Sequence, residues 1–438
     1  MNPLAELLTD RLSEAQVADG IEAERWAVCG RVPQAVVFPE NEEQVAGIFS
    51  LSSEEGWQCI PAGRGIWLHG GQPPQRVDLV VSTERMNEIT AYEPADQFIE
   101  AQAGAELEAL ERRTLERGQW LALDPPGGER GTVGAMVAVG AAGPLQAVFG
   151  SPRDQVLGAT LVTGDGRVLG LGGRVVKNVA GFDLLKLVTG SWGTLGMITS
   201  VTMRLHPVPA VDRSLLFKGP DLTEGAAMAC RLAQAPLSLA AVELLVPGDG
   251  EPVAGGSSPL VAVRILESVD GVDEAERVVS DVAGMPPVQR LEGEESAGIF
   301  ANVGAMEDGA ELVLRLSLLP SRLPDLVEMT SRLTGLYDPE AKWGMRMAAH
   351  AYAGVLRVMI AKMTRSDDGR LDQAKVVLGV MRRSLEAEGG SLVVSQGPPE
   401  IVEAMGAWGE SGPTAVFNAG IQAAFDPASI LAQGRLSQ

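Results

Sequence analysis

Apolar positions along the chain change their period several times, and each change predicts a different element. Leu4, Leu7, Leu8 and Leu12 recur at helical spacing, so residues 1–30 are expected to form a helical packing segment. From Pro33 the rhythm shortens. VVFPENEEQVAGIFSLSSEEG reads as a strand closed by Pro39 and a helix begun at Asn41 or Glu42. CIPAGRG reads as a strand running into a glycine loop, and DLVVS as a further strand. In FIEAQAG, Phe98, Glu100 and Gln102 alternate with Ile99, Ala101 and Ala103, the period of a strand. Residues 105–117 form a charged amphipathic helix pattern. VLGATLVTGDGRVLGLG reads as a hairpin, with Gly164-Asp165-Gly166 supplying the turn, and MITSVTMRL as a strand stopped by Pro207.

Two prolines in HPVPAVD, residues 206–212, mark a break. Beyond it AVELLVP, LVAVRIL and ELVLRLSLLP read as strands, and residues 271–282 and 367–387 as helices. That alternation predicts an α+β domain, an antiparallel sheet with helices on one side. PGDGEPVAGGSSP reads as a surface loop.

Composition changes the picture in two ways. Aromatic residues are only 4% of the 438 positions, whereas Gly numbers 52, so many positions serve backbone geometry rather than bulk. The formal net charge is −22, a field that repels nucleic acid and anionic membrane surfaces. An anionic ligand therefore calls for inward-pointing backbone N–H groups in glycine-rich nests. Three cysteines without C-x-x-C spacing and three histidines exclude a metal cluster built from this chain's own residues. The acidic, amphipathic start lacks the features of a signal peptide, and no run reaches membrane-spanning length. A cytoplasmic location is expected, without membrane insertion and with a peripheral position through partners left open.

Three small-residue stretches carry the candidate chemistry. The first is Ile60-Pro61-Ala62-Gly63-Arg64-Gly65-Ile66, reaching Gly70-Gly71, a nest for a diphosphate to which Arg64 adds a positive charge. The second runs from Asp124-Pro125-Pro126 through Gly131-Thr132-Val133-Gly134 to Gly143, nearly all small from 131 onward, a wall that a large ring system can approach. The third is Lys177 to Leu184 followed by Gly190-Ser191-Trp192-Gly193-Thr194-Leu195-Gly196-Met197-Ile198-Thr199, a glycine turn feeding a strand. A bland glycine turn competes as an explanation of the first, and tight helix packing as an explanation of the second. Walker, G-x-G-x-x-G, G-x-S-x-G and H-E-x-x-H motifs are absent.

Together, P-A-G-R-G, G-T-V-G, the run Arg153 to Gly158, V-V-K-N-V-A-G-F-D and G-S-W-G-T-L-G-M-I-T resemble the FAD-binding domain of the vanillyl-alcohol-oxidase/p-cresol-methylhydroxylase (PCMH) superfamily over about residues 31–209. Ala424-Phe425-Asp426-Pro427, Ile430-Leu431 and Gly434-Arg435 resemble its closing segment. V-V-K-N-V-A-G-F-D and Ala349-His350-Ala351 are most similar to FAD-binding E subunits of glycolate oxidase complexes. The resemblance implies an α+β fold: a helical segment over 1–30, a two-subdomain PCMH-type FAD-binding domain over 31–209, an α+β cap with antiparallel sheet over 210–415, and a return to the FAD domain over 416–438. It implies that Pro61, Ala62, Gly63, Arg64, Gly65 and Ile66 hold the diphosphate, that Pro125, Thr132, Val133, Gly134 and Gly143 line the flavin and ribityl chain, and that Gly196 and Ile198 meet the flavin through the backbone.

Departures from the superfamily pattern shape the expected role. Some relatives tether FAD through a histidine in the first loop; here Gly65-Ile66-Trp67 offers neither His nor Cys, so noncovalent FAD is expected, with His69 just outside as a solvated or locally bonded histidine, a flavin contact being the alternative. Catalytic 2-hydroxyacid dehydrogenases carry H-A-G-D-G-N-x-H; here the stretch is His350 to Arg357, with Arg in place of the second His, and the later G-E-H-G-I-G has no counterpart. Trp192 replaces a common Glu, and Gln422 a common Lys. The expected role is an FAD subunit that passes electrons from 2-hydroxy acid oxidation by a catalytic D-type subunit toward an iron–sulfur subunit. The alternatives are a stand-alone glycolate or D-lactate dehydrogenase, with His350, Arg357 and Arg315 as its candidate residues, and an assembly scaffold that has lost FAD.

Overall fold

The computed structural model describes residues 3–127, 130–173, 182–248, 258–337, 343–362, 370–409, 412 and 414–436. The chain divides into two compact units: Met1–Ala142 with Gly150–Val208 and Glu410–Gln438, and Gly143–Phe149 with Pro209–Gly409.

The first unit is built on two sheets. Its four-stranded sheet has the order Val17–Asp19, Ala35–Val37, Leu79–Ser82, Cys59–Ala62. Leu79–Ser82 runs parallel to both of its neighbours. Parallel strands are covered on both faces, which is why LVVS and AVV read as unbroken apolar runs rather than alternating ones. Leu79 and Val81 pack under helix Glu42–Glu55 through Val45, Ile48 and Phe49, while Val80 and Ile60 face a second cluster that holds Trp26. Burying each such aliphatic or aromatic side chain contributes roughly 1.5–3 kcal/mol. The helix starts where expected: the Asn41 side chain accepts from the Gln44 N–H at 2.9 Å, and Gly56 ends it at φ 69°.

The helical expectation for residues 1–30 is only partly met. Helix Pro3–Thr9 is followed by the strand Val17–Asp19, which pairs with Ala35–Val37, and by a single helical turn at Ile21–Glu24. Leu4 and Leu8 pack on the sheet, whereas Leu7 is exposed; the spacing signals one short helix, not thirty residues of it.

The second sheet of this unit is antiparallel, ordered Ile89–Glu93, Phe98–Gln102, Met197–Arg204, Val156–Val162, Val168–Gly172. It realises the predicted hairpin, with Gly166 at φ 80° in its turn. Helices Leu107–Leu115 and Val133–Val139 pack on it through Leu110, Val133, Met136 and Val137.

The second unit carries an eight-stranded antiparallel sheet, ordered Gln289–Glu292, Val211–Lys218, Leu260–Glu267, Ala241–Val246, Met345–His350, Val355–Ile360, Leu312–Ser317, Ser391–Gln396. Helices Leu222–Ala233, Val272–Ala283, Leu323–Tyr337 and Arg370–Ala387 contribute to the core on one face, where Val242, Leu244 and Val263 point. The expectation of helices on one side needs correction. Helix Glu294–Ala305 lays Phe300 and Val303 on the other face, against Leu216, Ala262, Val313 and Met359. The sheet strands are apolar on both faces because both are covered.

Candidate functional site

In the first unit the three small-residue stretches converge around one partly open cleft. The strand Cys59–Ala62 delivers the first loop. The Thr83 N–H donates to the Ala62 carbonyl at 2.9 Å and the Ser82 hydroxyl to the Gly63 carbonyl at 2.7 Å, which ties the loop back to the neighbouring strand. Gly65 then turns the chain at φ 88°, in the left-handed region.

Helix Val133–Val139 forms the second wall. Thr132 caps it, its hydroxyl accepting from the Ala135 N–H at 3.4 Å. Gly134, Ala135 and Ala138 present almost no side chain to the cleft. The glycines are needed for contact between walls. A Cβ on Gly63 would lie 2.2 Å from Thr132 Oγ1, and one on Gly134 would lie 2.4 Å from Ala103 Cβ and 2.9 Å from its carbonyl oxygen.

The third stretch locks onto the other two. The Gly190 and Trp192 N–H groups donate to the carbonyls of Val137 and Ala138 at 3.0 and 2.8 Å. Gly193, at φ 74°, lies against the Pro61 ring, and Gly196 at φ 153° leaves no room for a side chain beside the Val162 carbonyl. Strand Met197–Arg204 starts there, so Met197 and Ile198 close that end of the cleft.

Of the residues expected from sequence to hold a cofactor, Pro61, Ala62, Gly63, Gly65, Ile66, Gly134, Gly196 and Ile198 line this cleft. Thr132 and Val133 are buried behind its wall, and Pro125 is buried elsewhere in the unit. Gly143 lies in the Gly143–Phe149 segment that groups with the second unit. Arg64 is the clearest displacement. It is exposed and ion-paired with Glu106, so the charge expected at the nest is spent on a neighbouring carboxylate. The charged residue that lines the cleft is Arg435, from the far end of the chain, and sequence reading gave it no role. His69 is exposed. Lys177 to Gly181 lie outside the described residues; Asp183 caps helix Leu184–Val188 through the Lys186 N–H.

The second unit holds the other candidates, His350, Arg357 and Arg315, on one face of its sheet. Register places Glu243 opposite His350, Ala348 opposite Arg357 and Arg357 opposite Arg315. His350 Nδ1 is 2.6 Å from Glu243 Oε1, and both residues are buried, at 4% and 2% exposure. Burial pushes the Glu243 carboxyl well above its ordinary range, against the pull of Arg357. Burial, helped by Arg357 and Arg315, holds the His350 ring well below its own. Both directions favour a neutral pair, with the donor across the 2.6 Å contact set by the ring tautomer. Arg357 Nη1 lies 3.2 Å from Glu307 Oε1, and Arg315 is exposed. Sequence reading missed Glu243 because its only local signal is one acidic residue inside an apolar strand, AVELLV. Among the described residues no group of three or more acidic, histidine or cysteine side chains could hold a metal, and no helix is long and apolar enough to cross a membrane.

Residues 33–172 match the FAD binding domain family. Glycolate oxidase subunit GlcD of Bacillus subtilis is 25% identical over 435 residues, covering 92% of this chain and 89% of that protein. Glycolate oxidase subunit GlcE of Escherichia coli is 44% identical over 128 residues, 29% of this chain and 37% of that protein. The crystal structure of p-cresol methylhydroxylase with substrate bound superposes with a TM-score of 0.79 at 16% identity, over 99% of this chain and 96% of that one. The fold is therefore PCMH-type. This chain is an FAD-dependent oxidoreductase. The residues present fit the cofactor: three backbone walls stand at positions where a Cβ would collide, around an apolar cleft with a guanidinium at its edge.

Proposed function

We propose that this chain is the FAD-holding, electron-transferring subunit of a glycolate-oxidase-like 2-hydroxyacid dehydrogenase. Its partners would be a catalytic D-type flavoprotein subunit and an iron–sulfur subunit. Bound FAD supplies the capacity to take up electrons in pairs and release them singly. The chain's own residues bind it in the cleft, exclude water with apolar walls and leave the protein's chemistry to the cofactor.

The observation that carries this reading is the Glu243–His350 pair. Removing hydride from a 2-hydroxy acid requires a base near the α-hydroxyl, typically a histidine with a free ring nitrogen. Burial holds the His350 ring well below the ordinary histidine value, so it resists taking up the proton that a base must accept. His350 is therefore a poor base. The local 44% identity to the E subunit supports the same reading, beside a longer match to the D subunit at 25% identity.

An anaerobic titration separates the readings. Glycolate or D-lactate added to this chain alone should leave its flavin bands in place, and bleaching should appear when the partner subunits, copurified from the native source, are present. Rapid stoichiometric bleaching of the isolated chain would establish the stand-alone dehydrogenase, with Arg357 and Arg315 as carboxylate ligands, and overturn the subunit reading.

A further inference from the structure

Helix Ala415–Phe425, in the segment that returns to the first unit, is apolar and uncovered. Its sequence, AVFNAGIQAAF, has no charged residue, and the charge-free run extends from Ser411 to Phe425 in a protein of net charge −22. None of the helix's 11 residues is buried. Val416 is 80% and Phe417 72% exposed, and at helical spacing Gly420, Ala423 and Ala424 are exposed on the same side. The comparable charge-free run at 187–203 is buried or half-buried throughout, in a cleft wall and a strand. A contiguous exposed apolar face marks an interaction site.

The end of this helix is fixed in place. The Gly164 N–H donates to the Phe425 carbonyl and Arg167 Nη2 to the Ala424 carbonyl, both at 2.9 Å. The Asp426 carboxylate that follows accepts from the Ile430 and Leu431 N–H groups at 3.1 and 2.7 Å. The Cys59 N–H donates to the Ile430 carbonyl at 2.7 Å, and the Ala432 N–H to the Cys59 carbonyl at 2.8 Å. Strand Cys59–Ala62 delivers the first glycine loop of the cleft, so a partner that grips the helix is tied to the cofactor wall by a short run of bonded backbone.

Charge and area select the partner. Helices that lie in a membrane surface carry Lys or Arg on a polar face; this one has none, and the net charge repels anionic lipid. A second copy brings −22 against −22. Laid helix to helix, two copies would share a strip about 16 Å long and about 10 Å wide, far short of the about 800 Å² per partner of a stable pair. A catalytic subunit that resembles this chain over most of its length, as Bacillus subtilis GlcD does, meets the same limit when paired through its equivalent helix. A groove on a protein of unlike fold covers the helix on several sides. We propose that helix Ala415–Phe425 docks into an apolar groove of the iron–sulfur subunit. Val416 and Phe417 are its anchors, and Gly420, Ala423 and Ala424 let the groove's larger side chains close in. The proposal rests on the reading of the chain as an electron-transferring subunit and names the surface that meets the acceptor.

The test is copurification of the tagged full-length protein with coexpressed catalytic and iron–sulfur subunits, read as iron bound per FAD. F417E should lower that ratio about tenfold or more, with FAD content, melting temperature and catalytic subunit retained, and F417L should behave as wild type. Iron retained by F417E at the wild-type level overturns the docking and leaves the subunit reading standing. Absence of iron from the wild-type preparation sinks the subunit reading, and the docking with it. The docking alone is also overturned if F417E loses only the catalytic subunit, if it dissociates a dimer of the isolated chain in sedimentation, or if it abolishes binding of the isolated chain to phosphatidylcholine vesicles. Should F417E melt early, hydrogen exchange over residues 414–425 of the wild-type protein decides. The iron–sulfur subunit should slow it about tenfold or more, and equal rates with and without that subunit overturn the proposal.

Discussion

Replacing Gly63 by alanine tests whether the first and second walls of the cleft meet as tightly as the structure shows. The new Cβ would lie 2.2 Å from Thr132 Oγ1, 3.2 Å from Thr132 Cβ and 3.1 Å from Ala135 Cβ. An ordinary contact is about 3.5 Å or more, so one wall must retreat by roughly 1 Å. Thr132 has little freedom to do so. It is fully buried, β-branched and engaged in capping helix Val133–Val139. Losing the cap costs about 1 kcal/mol, and overpacking a buried contact about 1–3 kcal/mol. G63A should therefore destabilise the FAD-free protein by about 2–4 kcal/mol. It should also weaken FAD at least tenfold, because the displaced residues form the cleft.

A double-mutant cycle isolates the cause. T132A alone should cost about 1 kcal/mol, the price of a lost cap. In G63A/T132A the colliding hydroxyl is gone, so the double variant should be no less stable than G63A and should regain about 1–2 kcal/mol relative to additivity. Urea unfolding monitored by far-UV circular dichroism reads the stabilities, and flavin fluorescence reads the affinity. Strict additivity of the two substitutions, or a G63A protein as stable as wild type, would refute the wall-contact argument.

Other sites give sharper or broader tests. G104A places a Cβ 1.8 Å from the Thr83 carbonyl oxygen and 2.7 Å from that of Met86, backbone atoms that cannot step aside, so a loss of about 3 kcal/mol or more is expected by urea unfolding. D426A removes the acceptor of two buried backbone N–H groups; it should cost about 2–4 kcal/mol in the same assay and weaken FAD, with D426N milder because one oxygen remains. For E243Q the expectation is a pH-dependent difference. Burial holds Glu243 above its ordinary value of 4.5, so its contribution is full below that pH and is lost as pH rises toward the raised value. Unfolding measured from about pH 5 to about pH 7 should shift the wild-type-minus-variant difference toward the variant, by at most about 1.4 kcal/mol per unit. A flat difference would mean that Glu243 is ionised.

Much of the fold was legible because its signals are local. The alternation in FIEAQAG, the Gly164-Asp165-Gly166 turn and Asn41 ahead of an apolar helix each act within a few residues, and each element formed where expected. The glycine stretches were legible for a related reason: a residue type chosen for missing volume marks a close approach even when its partner is unknown. What escaped was decided by partners distant in sequence. Val17–Asp19 becomes a strand only because Ala35–Val37 offers an edge. Helix Glu294–Ala305 crosses to the second face because Ala262, Val313 and Met359 leave an apolar surface there. Glu243 looks like an error in a buried strand until His350 is placed opposite it.

The exchange of Arg64 for Arg435 shows why chemistry is harder to read than backbone. Both arginines follow a glycine, and only Arg64 sits inside the nest sequence. Proximity along the chain favoured it, yet a side chain's charge is useful only where no nearer partner neutralises it. In an acidic protein with 57 carboxylates against 35 basic residues, an exposed arginine readily finds one, as Arg64 finds Glu106. An arginine that is to serve an anionic cofactor must therefore be shielded from the protein's own carboxylates. Arg435 reaches the same cleft buried under Trp192, at the end of a sharply bent segment.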